Sequence, residues 1–259
     1  VRSSRDATRA ATRIGFPVVL KPLSGNHGRG VSINLKTGEE VEAAFEKARE
    51  HGRSIVVESF LEGWDHRLLV VNGRLVAAAK RMPGHVVGDG EHTIEQLVDI
   101  VNDDPRRGVG HEKVLTRLEF DHQAELLLKK LDYDRDTVPE KDDVVYLRST
   151  ANLSTGGTAI DVTDSIHPDN REMAERTIKA IGLDIGGVDF LTKDITKSYR
   201  EAGGGICEVN AGPGFRMHVA PSEGTPRDVA GPVIDMLFPA GQPSRVPIAA
   251  VTGTNGKTT

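Results

Sequence analysis

The stretch Glu208-Val209-Asn210-Ala211-Gly212-Pro213-Gly214-Phe215-Arg216-Met217-His218, preceded by Gly187-Val188-Asp189-Phe190, decides how this chain is read. Both acids sit on short apolar runs, 187–191 and 206–209, and strand alternation sends Glu208 and Asn210 to the same face. Two carboxylates and an amide oxygen suit Mg²⁺, which takes oxygen ligands in octahedral array, one or two of them protein carboxylates and the rest water and nucleotide phosphate. Taken alone, Glu208 and Asn210 fit a solvated strand edge equally well. The rest of the chain has to decide.

Upstream, Phe16-Pro17-Val18-Val19-Leu20-Lys21-Pro22 runs into Gly25-Asn26-His27-Gly28-Arg29-Gly30-Val31. This reads as a strand that delivers a lysine, followed by a glycine-rich loop. Backbone N–H groups of such a loop can close on phosphate oxygens while the lysine adds a point charge. A glycine-rich turn by itself is more often a hairpin, and this one is not a G-x-x-x-x-G-K-[ST] loop. Next comes Ser54-Ile55-Val56-Val57-Glu58-Ser59-Phe60-Leu61-Glu62-Gly63-Trp64-Asp65-His66-Arg67.

Taken in order, these elements resemble the ATP-grasp superfamily. The resemblance implies an α+β fold in which two α+β subdomains hold nucleotide between them, truncated here on the N-terminal side, with ATP and Mg²⁺ as cofactors. It implies Lys21 on nucleotide phosphate, Gly25, Gly28 and Gly30 in the loop over the phosphates, Glu58 at the adenine hinge and Asp65 at the ribose. Asp189, Glu208 and Asn210 would hold magnesium.

Three further runs narrow the likeness. Leu147-Arg148-Ser149-Thr150-Ala151-Asn152-Leu153-Ser154-Thr155-Gly156-Gly157-Thr158-Ala159, the run from Glu208 to His218, and Val251-Thr252-Gly253-Thr254-Asn255-Gly256-Lys257-Thr258-Thr259 together look like the cyanophycin synthetase family. That resemblance implies a cytoplasmic ligase, homo-oligomeric at full length, that adds aspartate to the poly-aspartate backbone of a cyanophycin primer through an acyl phosphate. A second, Mur-ligase-like module then attaches arginine. On this reading residues 1–245 are a partial ATP-grasp module with a polar insertion near 84–145. Residues 246–259 are the first strand and phosphate loop of a truncated Mur-ligase-like module, with Gly256, Lys257 and Thr258 in that loop. The isolated piece is expected to be inactive. The alternatives are another ATP-grasp amino-acid or dipeptide ligase, or a nucleotide-binding module without activity.

Such a ligase develops negative charge in both of its steps, so it needs positioning and charge neutralisation rather than a side-chain nucleophile. Arg216 and Arg81 are the catalytic candidates. Arg67, Ser154, Thr155, Gly156 and His218 are the substrate candidates, although His218 fits a hydrogen-bonded structural histidine as well. The turn from Ser154 to Gly157 is expected to present hydroxyls and exposed N–H groups as a nest for a carboxylate; a plain hairpin turn is the alternative.

The formal net charge of −5 lacks the basic footprint of a nonspecific nucleic-acid binder, and no apolar run approaches a membrane span. The single cysteine, Cys207, sits in an apolar run and reads as a small core residue of a protein from a reducing cytosol. Helices are expected over residues 1–14 with Gly15 as stop, after a capping box at Thr37-Gly38-Glu39-Glu40, from Thr93 with Gln96 at the box position, and from Pro168 to Ile181. Asn72-Gly73 predicts a hairpin joining 66–71 to 74–81. Counting back from Val71 opposite Arg74 puts Asp65 opposite Lys80, so that Asp65, Arg67 and Lys80 share a face and Arg81 lies on the other. Strands and helices mix without strict alternation, which favours α+β over a doubly wound sheet.

Overall fold

A computed structural model describes residues 1–24, 30–110, 112–245, 247, 248, 250 and 252. The chain divides into two compact units, Val1–Glu62 and the part from Gly63 onward. Both are α+β and each has its own core.

In the first unit, α1 (Ser4–Ile14) starts on Ser3, whose side chain accepts from the Asp6 N–H, and ends at Gly15. The sheet has the order β2 (Ser32–Leu35), β1 (Val18–Pro22), β3 (Ile55–Ser59), all antiparallel. Val18 and Leu20 of β1 point into a core shared with α1 and α2 (Gly38–Arg49), which contributes Val41, Ala44, Phe45 and Ala48. The intervening Val19 and Lys21 therefore take the opposite face. Thr37 caps α2 by accepting from the Glu40 N–H, but Glu40 reaches back to the Lys36 N–H rather than to that of Thr37. The expected reciprocal box is thus displaced by one residue.

The second unit is built on a five-stranded antiparallel sheet of order β10 (Thr158–Asp161), β5 (Arg74–Met82), β4 (Trp64–Val71), β11 (Ile185–Thr192), β12 (Gly205–Asn210). Asn72 and Gly73 join β4 to β5 with φ of 49° and 73°, the positive values that a two-residue hairpin turn of the right twist demands. One face of the sheet carries Leu68, Val70, Ala78, Val188 and Phe190, packed on Ala174 and Ile178 of α5 (Pro168–Ile181). The other face is divided. At the hairpin end Leu69, Val71 and Ala77 pack on Val229, with Val233 and Met236 of α8 (Ala230–Leu237) alongside. At the far end it is charged.

The hairpin register departs from the simple count. Val71 faces Arg74 and Val70 faces Leu75, but Leu69 faces Ala77, leaving Val76 as an extra residue. This bulge moves every later pair by one, so Arg67 faces Ala79, His66 faces Lys80 and Asp65 faces Arg81. Arg81, not Lys80, therefore shares a face with Asp65 and Arg67. Lys80 lies on the opposite face, with its ammonium 3.7 Å from the Trp64 ring centroid.

Between β5 and β10 lies a body with its own core of Val86, Ile94, Leu97, Val98, Leu118, Ala124, Leu128, Val145 and Leu147. It comprises β6 (His85–Val87) paired with β9 (Val144–Tyr146), β7 (Arg107–Gly108) paired with β8 (Leu115–Thr116), and the helices α3 (Ile94–Asn102) and α4 (His122–Lys130). Thr93 and Gln96 form the reciprocal capping box on α3. The short helices α6 (Tyr199–Ala202) and α7 (Arg216–Val219) complete the unit. Cys207 is exposed, against the expectation of a core residue, because β12 is an edge strand. No described helix is long and apolar enough to cross a membrane.

Gly186 of β11 leaves no room for a side chain beneath α5. A Cβ on Gly186 would stand 2.3 Å from Ile178 Cδ1 and 3.1 Å from its Cγ1. Gly186→Ala is expected to destabilise the protein by about 1–3 kcal/mol through overpacking. Ile178→Val, which removes Cδ1, should cost about 0.5–1.5 kcal/mol alone yet restore stability in the Gly186→Ala background. Urea denaturation of the four proteins checks this; strictly additive effects would contradict the packing.

Candidate active site

The charged end of the sheet face is assembled by cross-strand pairing. Asp189 on β11 faces Arg67 on one side and Glu208 on the other, while Asp65 faces Arg81. Arg67, Arg81 and Asp189 are each less than a tenth exposed. Arg67 donates through Nε to Asp189 Oδ1 at 2.5 Å and through Nη2 to Oδ2 at 3.3 Å. Arg81 Nη2 donates to both Asp65 oxygens, at 2.6 and 2.7 Å, and to Asp189 Oδ2 at 2.9 Å. Burial alone would lower the Arg81 pKa, but Asp65 and Asp189 together outweigh it and hold the guanidinium charged more firmly than in water. Buried charges are tolerated because each is paired and hydrogen-bonded.

Gly187 makes room for this arrangement. A Cβ there would meet Arg67 Cδ at 2.9 Å and Pro213 Cβ at 2.8 Å, so the missing side chain lets the arginine stem lie along β11 under the 211–215 loop. Asp161 and Arg227, which the sequence pattern did not single out, extend the row. Asp161 faces Ala79, which faces Arg67, and Arg227 Nη2 donates to Asp161 Oδ2 at 2.5 Å and to Asp164 Oδ2 at 2.6 Å. The Arg227 N–H also donates to the His218 carbonyl at 2.9 Å.

Several polar atoms in this region have no partner among the described residues: Arg81 Nε, Asn210 Nδ2 and both ring nitrogens of His218. His218 is 2 % exposed. Burial first, and then the charge of Arg67, lower its pKa to about 4, so the ring is neutral near pH 7 and keeps one donor and one acceptor available. Unsatisfied polar atoms beside buried arginines mark a place built to take a polar ligand. Arg216, on α7 with His218, donates to the Lys113 carbonyl at 3.1 Å.

Glu208 is exposed and Asn210, two residues on, follows on the same face of β12, opposite Gly187. With Asp189 this gives two carboxylates and an amide, a donor set that suits a hard cation keeping several waters. No group of three or more His, Cys, Asp or Glu that could hold a metal ion is present among the described residues. Asp189 would be shared between the metal and its two arginines.

The turn at Ser154 differs from the expected nest. Leu153–Thr155 form a short 3-10 turn in which the Thr155, Gly156 and Gly157 N–H groups donate to the carbonyls of Asn152, Leu153 and Asn152. The Thr155 hydroxyl also goes to the Asn152 carbonyl. These amides are consumed in closing the turn, which leaves the exposed Ser154 hydroxyl as its outward donor. Gly156 takes φ of 92° with Leu118 Cδ2 2.5 Å from where a Cβ would be, so the position requires glycine. Leu153 packs with Ala79, Ala159 and Met217, which seats the turn and α7 on the same strands.

In the first unit, Lys21 and Glu58 share the sheet face turned away from its helices and form an ion pair at 2.7 Å. Gly30 has φ of 71°, and a Cβ there would stand 2.7 Å from His51 Cδ2. Gly25, Gly28, Gly256, Lys257 and Thr258 lie outside the described residues.

Comparison with known proteins agrees with this geometry. Residues 1–96 match the family model for the prokaryotic glutathione synthetase ATP-grasp domain. The chain is 60% identical over 247 residues to cyanophycin synthetase of Synechocystis sp. and 59% identical over 247 residues to that of Crocosphaera subtropica, each match covering 95% of this chain and 28% of the relative. It therefore spans little more than a quarter of the length of these relatives. The glutathione biosynthesis bifunctional protein of Mannheimia succiniciproducens is 37% identical over 231 residues, 87% of this chain and 30% of that protein. Among solved structures, a bifunctional glutathione synthetase from Pasteurella multocida superposes with a TM-score of 0.69 at 33% identity, covering 92% of this chain and 33% of its own. With its antiparallel α+β units and these relatives, the chain has the ATP-grasp fold and is similar, over nearly its whole length, to one segment of the cyanophycin synthetases.

Proposed function

We propose that this chain carries the ATP site of a magnesium-dependent carboxylate–amine ligase that adds aspartate to the poly-aspartate backbone of cyanophycin. The observation that carries the reading is the row of buried Arg81, Asp189 and Arg67 with half-buried Asp65, and with Glu208 at its open end. The identity of 59–60% to cyanophycin synthetases, against 36–37% to glutathione biosynthesis proteins, favours the cyanophycin backbone over another amino-acid ligase.

The chemistry has two steps. A carboxylate oxygen of the primer attacks the γ-phosphorus of ATP and ADP leaves; the aspartate amine then attacks the acyl carbon, phosphate leaves, and the amine gives up a proton. No protein nucleophile takes part. Magnesium, held by Asp189, Glu208 and Asn210, would supply charge neutralisation at phosphate oxygens. Arg81 and Arg216 stabilise the developing anions, Arg81 from a pocket where its charge is already fixed in place by Asp65 and Asp189. Arg67, the Ser154 hydroxyl and neutral His218 orient the primer carboxylate, while Thr155 and Gly156 give the turn its shape. On this reading Lys21, Gly25, Gly28 and Gly30 are assigned to phosphate, Glu58 to adenine and Asp65 to ribose. The primer and aspartate are the partners, the enzyme works in the cytoplasm, and its full-length form is oligomeric. The division near residue 245 assigns Gly256, Lys257 and Thr258 to a second nucleotide site.

Glu208→Gln is expected to lower the ligation rate of the full-length enzyme on the order of 10²-fold and to raise the magnesium needed for half-maximal rate, without changing the melting temperature. Glu208 is exposed and outside the ion-paired row, so loss of folding would not explain the result. Unchanged ADP release with aspartate and primer at low magnesium would remove Glu208 from the metal set.

Ser154→Ala should raise the primer KM by roughly tenfold with little change in kcat, since one exposed hydroxyl holds the carboxylate in ground and transition state alike. Steady-state kinetics with varied primer checks this. A loss confined to kcat would instead assign Ser154 to phosphoryl transfer.

A further inference from the structure

A cleft of about 520 Å³ in the second unit is lined by the apolar side chains of Met82, Val86, Leu97 and Val101, and by Arg107. Its size is that of small-ligand sites, which combine apolar walls with a few placed polar groups. Arg107 is 8% exposed, and its Nη1 donates to the carbonyls of Thr116 at 2.5 Å and Gly156 at 3.2 Å. Among the described residues neither Nε nor Nη2 has an acceptor, and no carboxylate lies within ion-pair distance.

The other buried arginines of this unit are treated differently. Arg148, 5% exposed, has Asp121 at 3.2 Å, and Arg67 and Arg81 share Asp189. Asp104, the acid whose charge reaches Arg107, is already bound by Arg106 at 2.8 Å. Asp89 also lines the cleft, but its oxygens accept from the Glu91 and His92 N–H groups and from the His92 ring. Burial lowers the Arg107 pKa, as expected of a guanidinium removed from water without a counter-charge. An incoming anion would supply that counter-charge and the missing acceptors together.

We propose that this cleft binds a free carboxylate carried on an apolar body, with Arg107 as the anchor and Val86, Leu97 and Val101 as the walls. No member of the charged row lines the cleft, although Gly156 of the 154–157 turn borders it and accepts from Arg107; the proposal stands whether or not the ligase reading does.

The test uses the full chain and N-acetyl-L-leucine as probe, with N-acetyl-L-leucinamide as its uncharged counterpart, followed by calorimetry and methyl NMR. The acid should bind saturably and shift the methyl signals of Val86, Leu97 and Val101, and the amide should not. Arg107→Gln should weaken binding by about tenfold or more, the loss expected for a charge-assisted hydrogen bond. Ile100→Glu places a negative charge on the cleft wall at a residue 52% exposed, and should weaken the acid similarly without lowering the melting temperature. It decides the matter alone if Arg107→Gln does not fold. Absence of binding, equal binding of acid and amide, affinity unchanged in Ile100→Glu, or shifts confined to Met217 beside the charged row would each overturn the proposal.

Discussion

The carboxylate of Asp189 is the constraint on which the second unit turns. It sits in the fourth of five neighbouring strands that carry charge on one face, and each of its oxygens is held by a guanidinium. Two arginines and an aspartate this deeply buried are stable only as a set, since removing one member strands the others in a medium that solvates charge poorly. The set therefore fixes the lateral alignment of β4, β5 and β11 at the end where apolar packing gives out. It also fixes the arginines in space before any substrate arrives. Catalysis of phosphoryl and acyl transfer draws on charges that need no reorganisation during reaction, and this row provides that property.

The division of one sheet face into an apolar half and a charged half follows from strand geometry. Leu69 and Val71 project on the same side of β4 as Asp65 and Arg67, because side chains alternate with a period of two. The apolar half is covered by Val229 and α8, and the charged half is left open to the 211–218 segment. A site built on central strands is held more firmly than one built on loops alone. The loop residues that border it are anchored in turn: Met217 is packed beside Leu153, and the His218 carbonyl accepts from Arg227.

Much of this was legible in the chain itself. Alternation placed Glu208 and Asn210 on one face, capping residues marked the helices, and Asn72-Gly73 located the hairpin. What escaped were features decided by neighbours distant in sequence. The extra residue at Val76 has no local signature, yet it exchanges the faces of Lys80 and Arg81 and so changes which cation joins Asp65. Cys207 lies in an apolar run, but strand order puts β12 at the edge and exposes it. The 154–157 turn has the composition of a nest while its amides are spent on closing the turn. Arg227 and Asp161 meet across 66 positions of sequence, a pairing no spacing rule could have proposed.

The central claim is that Arg67 and Asp189, directly opposite each other on β4 and β11, form one buried electrostatic unit. A double-mutant cycle measures it directly, using chemical denaturation of Arg67→Met, Asp189→Leu and the pair. Each single change should cost about 3 kcal/mol or more by leaving its partner buried and uncompensated, whereas the double mutant should cost much less than the sum, with a coupling of at least about 1.5 kcal/mol. Additive losses, or single mutants as stable as the parent, would show that the two side chains are independently solvated and would contradict the account.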